Sequence, residues 1–139
     1  MISRSTLRRR AALVGPLALC GVLTACNGAG SGQAGQVATS FAELAKTDAA
    51  KACGLLTEHT RHKVEKDAKK TCSEALGDED LPDASAVRII DVYGHDARVV
   101  LDKDVVFLAQ FPDGWKVTAA GCKPQQQQDD PYECEISGG

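Results

Sequence analysis

The sequence predicts an α+β domain in which N-terminal helices pack on an antiparallel β-sheet, preceded by a signal peptide and a flexible tether. Three observations carry this expectation. Apolar residues recur at helical spacing from Val37 and at alternating spacing from Val87. The strand-like runs are separated by only a few turn-forming residues, which requires antiparallel neighbours. All four basic residues ahead of Cys26 (Arg4, Arg8, Arg9, Arg10) precede or border an apolar run, and no acidic residue joins them.

Residues 1–25 read as an export signal, with a basic start and the apolar run Ala11 to Val22, which at about 12 residues is shorter than the roughly 20 a membrane span needs. Leu23-Thr24-Ala25-Cys26 resembles the bacterial lipobox, which implies that Cys26 receives a diacylglyceryl group and becomes the first mature residue. Each buried methylene contributes about 0.8 kcal/mol, so two or three acyl chains suffice for attachment. The competing reading is an ordinary secretory signal with Cys26 a free thiol. Arg9-Arg10-Ala11-Ala12-Leu13 also suits twin-arginine export, with the general secretory route preferred. Asn27 to Gln36, rich in Gly, Ser and Gln, reads as a flexible continuation of the linker 26–36. The domain then spans 37–139, outside the cytoplasmic membrane and held to it by lipid.

The leader removes four of 16 basic residues and none of 19 acidic ones, so the formal charge falls from −3 to −7 beyond Cys26. A body this acidic is unsuited to sequence-independent nucleic-acid binding, which needs clustered Lys and Arg.

Val37, Phe41, Leu44 and Ala45 define a first helix, and Asp48 caps a second, Ala49 to Leu56. Thr57 or Thr60 starts a third, Arg61 to about Leu76, with Val64, Ala68 and Cys72 facing inward and Gly77 as its stop. After the acidic loop Gly77 to Asp83, strands are expected at Val87 to Tyr93, Ala97 to Leu101, Val105 to Phe111 and Trp115 to Ala119. On the last two, Phe107, Ala109, Phe111, Trp115, Val117 and Ala119 form the expected inward set. The stretch Pro124 to Asp130 reads as a solvated loop.

Cys53, Cys72, Cys122 and Cys134 allow three connectivities. Cys53 with Cys72 and Cys122 with Cys134 is preferred, because the first joins inward positions on consecutive helices and the second ties the tail to the last strand. No CxxC pair supports zinc. His59 and His62, flanked by Glu58 and Glu65, have ligand spacing, but Arg61, Lys63 and Lys66 crowd them, so no metal or cofactor is expected. Asp91, Tyr93 and His95 are the weak catalytic candidates: alternation places Asp91 and Tyr93 on one sheet face, where a buried carboxyl and a phenol could serve acid–base chemistry. Asp96, Asp102 and Asp104 fit ordinary hairpin use. No nucleophile elbow or phosphate-binding glycine pattern is present.

Ala52-Cys53-Gly54-Leu55-Leu56-Thr57, Cys72, Asp113-Gly114-Trp115-Lys116-Val117-Thr118-Ala119-Ala120-Gly121-Cys122 and Pro131-Tyr132-Glu133-Cys134 resemble the small secreted lipoproteins of actinobacteria, a group similar to the NTF2-like (SnoaL-like, cystatin-type cone) superfamily. The resemblance implies a cone-shaped fold with the same two local disulfides, and little about activity. The expected function is non-catalytic binding of an envelope protein partner or a small apolar ligand. An NTF2-like isomerase or hydrolase and a structural scaffold are the alternatives.

Overall fold

The computed structural model describes residues 29–127 and 129–139, so the expected signal peptide and Cys26 lie outside the described residues. Helices α1 (Ala29–Thr47), α2 (Ala49–Leu55), α3 (Glu58–Ala68) and α4 (Cys72–Asp78) precede strands β1 (Val87–Tyr93), β2 (Asp96–Leu101), β3 (Val105–Phe111), β4 (Gly114–Lys123) and β5 (Glu133–Ser137). The strands form one open antiparallel sheet in chain order, with β1 and β5 at its edges. The fold is therefore α+β, with the helices packed against the sheet. Among the described residues no helix is long and apolar enough to cross a membrane.

Helix α1 supplies the centre of the core. Ala34, Ala38, Phe41, Ala42 and Ala45 are buried with Val99, Val106, Leu108 and Val117 of the sheet. Alanines at this spacing bring the helix close to the sheet, and Phe41 fills the space they leave. The glycine-rich stretch expected to be a tether is instead helical from Ala29. Tertiary packing overrides its low propensity: a Cβ on Gly35 would lie 2.8 Å from Ile90 Cδ1, so glycine allows the helix to rest on β1.

Asp48 caps α2 by accepting from Lys51 N, and Thr57 caps α3 by accepting from Thr60 N. Thr57 N then donates to Val117 O, and the wholly buried Thr60 hydroxyl donates to Thr118 O, docking the start of α3 on β4. A single third helix is expected, but the chain divides it. Lys69 adopts a left-handed conformation, φ 53°, and Thr71 starts α4 with a reciprocal capping box to Glu74. The Thr71 hydroxyl and amide hold the Glu74 carboxyl below its ordinary range. Thr71→Ala is expected to cost about 1 kcal/mol. An unchanged urea midpoint would refute that role for the cap.

The two preferred disulfides are present: Cys53–Cys72 joins α2 to the first turn of α4, and Cys122–Cys134 crosses from β4 to β5. The fifth strand was not expected from the sequence. The inward set also needs correction on β3. Val106 and Leu108 face the helices, whereas Phe107, Ala109 and Phe111 face the other way. The register shifts between Phe107↔Ala119 and Leu108↔Val117, leaving Thr118 as an extra residue. Trp115 and Val117 thus face the core as expected, whereas Ala119 joins Val105 and Cys122 on the opposite side.

The turn aspartate Asp102 is structural. Asp102 accepts from Ser85 N and Ala86 N, and these bonds hold its exposed carboxyl below the ordinary value. A lowered folded pKa contributes stability above the unfolded carboxylate value of about 3.9 that is lost as pH falls through the folded value. Asp102→Asn is expected to flatten the acid limb of the stability profile. An identical limb in both proteins would rule this out.

Candidate functional site

The sheet face turned away from the helices is the candidate site. Strand register places on it Ile89, Asp91 and Tyr93 of β1, Asp96, Arg98 and Val100 of β2, and Val105, Phe107, Ala109 and Phe111 of β3. An antiparallel sheet with one solvated face normally alternates apolar with polar residues. Here Val105 to Ala109 is apolar on both faces: the helices cover one, and on the other Val105 and Phe107 pack with Ala119, Cys122, Tyr132 and Cys134 in a second, smaller cluster. Tyr93 is 63% exposed, Ile89 51% and Phe111 44%.

A charged and aromatic cluster sits in the middle of this face. Arg98 donates from Nε and Nη2 to Asp91 Oδ2, at 3.1 and 2.6 Å, and from Nη1 to the Tyr132 hydroxyl at 3.1 Å. The Asp91 carboxylate and the Tyr132 hydroxyl raise the Arg98 pKa further. The ring of Tyr132 meets Phe107 edge to face at 5.1 Å. Tyr93, Asp96, Arg98, Phe107 and Tyr132 line a recess of about 410 Å³. At the far end of β3, Phe111 and the start of α3 (Thr57, His59, His62) border a second recess of about 570 Å³.

Asp91 and Tyr93 share a face, as alternation predicts, but that face is the open one. The Asp91 carboxylate is engaged by Arg98, Tyr93 is exposed, and His95 occupies the exposed β1–β2 turn, where its carbonyl accepts from Gln110 N. The three therefore do not converge on one enclosed point. His62 lies 3.5 Å from Glu58 and 3.6 Å from Glu65, all on one exposed helical surface. Among the described residues no three His, Cys, Asp or Glu groups are arranged to hold a metal ion.

Sequence reasoning overlooked Arg98 and Tyr132. The first was accessible: a two-residue Gly94-His95 turn pairs Tyr93 with Asp96, and counting back sets Arg98 opposite Asp91. Tyr132 arrives from 34 positions away, brought in beside the Cys122–Cys134 bridge. The chain matches no protein-family model, no curated protein and no solved structure.

Proposed function

We propose that the chain is a lipid-anchored, non-catalytic binding domain on the outer face of the cytoplasmic membrane, docking an envelope protein partner on its open sheet face. The observation that carries this is the exposure of Ile89, Tyr93 and Phe111 on a sheet face that no helix covers. The space between helices and sheet is filled by Phe41, Leu76, Val99, Val106, Leu108 and Val117, all essentially buried, which favours a surface partner over an enclosed apolar ligand. The basic leader, short apolar run and lipobox support the anchor at Cys26. The acidic body gains nothing electrostatically from an anionic membrane surface, so attachment rests on lipid. We also read the fold as NTF2-like. Support comes from a helical layer on one face of an antiparallel sheet whose strand pairs carry register shifts near Arg88 and Thr118.

The test is photo-cross-linking in intact envelopes with p-benzoylphenylalanine at Phe111 in the full chain. A single second protein should be captured, and capture should be lost when Tyr93→Asp is added. Absence of a discrete product, with turnover of a ketosteroid probe, would overturn the reading. Cys26→Ala should release the protein from membranes, and continued partitioning there would refute the anchor.

A further inference from the structure

We propose that the Cys122–Cys134 bridge is a redox switch on the open face: a dithiol reductant opens it ahead of Cys53–Cys72, and its opening frees Tyr132 from Arg98 while the rest of the fold stays in place. As a regulation of the open face the switch rests on the docking reading above, whereas its opening and its effect on Arg98 belong to the chain alone.

The two bridges differ in setting. Cys53 and Cys72 are both buried, at 8% and 5%, in the main core where α2 meets α4. Cys122 is buried as well, but Cys134 is half-buried on the edge strand β5, with exposed Glu133 and Glu135 on either side. Exchange requires a thiolate to reach one of the two sulfurs, so access ranks the bridges. The thiolate attacks Cys134 Sγ, the S–S bond breaks, and Cys122 Sγ leaves and takes a proton. The reductant's second thiol then displaces Cys134 Sγ from the mixed disulfide. The dithiol ends as a disulfide, and both cysteines end as thiols.

What the bridge holds follows from the chain on either side of it. Gly121 N and Cys122 N both donate to the Asp104 carboxylate, so β4 turns these two amides away from β5. Beyond Cys122, Pro124 to Gln127 and Asp129 to Pro131 are exposed, and Asp130 N donates within the same loop, to Gln127 O. The bridge and the ladder pair Lys123↔Glu133 are what return the chain to β4. Tyr132 stands two positions before Cys134 and meets the sheet through its hydroxyl on Arg98 and its ring on Phe107.

The far half of β5 is held differently. Ile136 is 3% exposed in the main core, and Gly138 N donates to Thr118 O. Opening the bridge therefore restores freedom to a loop spanning 12 positions and loosens the Tyr132 end of β5, while the Ile136 end stays docked. Arg98 keeps its Nε and Nη2 bonds to Asp91 and loses its Nη1 bond, which leaves that donor open to the recess lined by Tyr93 and Phe107.

The experiment is stepwise reduction of the full chain with dithiothreitol, read by alkylation with peptide mapping and by the rate at which phenylglyoxal modifies Arg98. Cys122 and Cys134 should be alkylated at dithiol concentrations that leave Cys53–Cys72 closed and the far-ultraviolet spectrum unchanged. Arg98 modification should then rise about threefold or more. Tyr132→Ala should show the faster Arg98 rate with both bridges closed, and reduction should add nothing to it. Loss of both bridges together, unfolding when Cys122–Cys134 opens, or an unmoved Arg98 rate once it is open would overturn the proposal. A slow Arg98 rate in Tyr132→Ala, or a further rise on reducing it, would do the same. If Tyr132→Ala fails to fold, the natural chain decides alone. These readouts involve no partner, so they succeed or fail separately from capture at Phe111.

Discussion

Asp104→Ala is expected to lower folding stability by about 3 kcal/mol or more, because the Asp104 carboxylate satisfies three amides in a nearly dry site. The residue is 7% exposed. Its Oδ1 accepts from Val105 N at 2.7 Å and Cys122 N at 3.0 Å, and its Oδ2 from Gly121 N at 3.1 Å. Each orphaned N–H costs about 1–3 kcal/mol, and the total is reduced because alanine also removes a charge that burial disfavours. The site joins the β2–β3 turn to β4 at Gly121, whose φ of 67° and close approach to Glu135 and Leu81 demand glycine. Asp104→Asn keeps one oxygen and turns an amide toward Gly121 N, so its loss should be smaller. Urea denaturation giving Asn a cost equal to or above that of Ala would contradict the hydrogen-bond account.

The same turn yields opposite responses to acid. Burial pushes the Asp104 carboxyl above its ordinary value despite the three amides. A raised carboxyl pKa opposes folding above the folded value, and that opposition disappears as pH falls below the unfolded value. Asp102, held low by Ser85 N and Ala86 N, loses its contribution over acidic pH. Asp104→Asn should therefore steepen the acid limb that Asp102→Asn flattens.

These sites show what the sequence makes legible. The change of hydrophobic period after the loop Gly77 to Asp83, the cap at Asp48, a threonine cap for the third helix at Thr57, one of two residues the sequence offers, and both disulfides follow from local chemistry, and each is present. The errors arise where one residue changes phase or where distant packing decides. Thr118 is one extra residue, and it moves Ala119 to the opposite face. Lys69 breaks the third helix without glycine, although Thr71-Cys72-Ser73-Glu74 is a readable capping box. The start of α1 resembles a linker by composition, because the reason it is helical, the contact of Gly35 with Ile90, spans more than 50 positions. The open face is hidden by the phase of β3: assigning Phe107 and Phe111 to the core takes its β3 aromatics off the surface. Strand β5 is cued mainly by Cys134, which its bridge fixes beside Cys122.

Replacing both Cys53 and Cys72 by alanine should cost about 3 kcal/mol, the loop-closure entropy of a bridge spanning 19 positions. Both cysteines are buried, at 8% and 5%, so the lost sulfur contacts add a little to this. For a domain of this size the melting temperature should fall by roughly 10–20 °C. The effect should also be local. Helices α2 and α4 are each seven residues long, below the length at which a helix is stable alone, and the bridge joins them directly. By contrast, α1 packs across the sheet and α3 is tied to β4 through Thr57 and Thr60. Hydrogen exchange should therefore show α2 and α4 losing protection before α1 and the central strands. Uniform loss across the chain would mean that the bridge restrains only the unfolded ensemble. Preferential loss in α2 and α4 would mean that it also holds two short helices in the native layer.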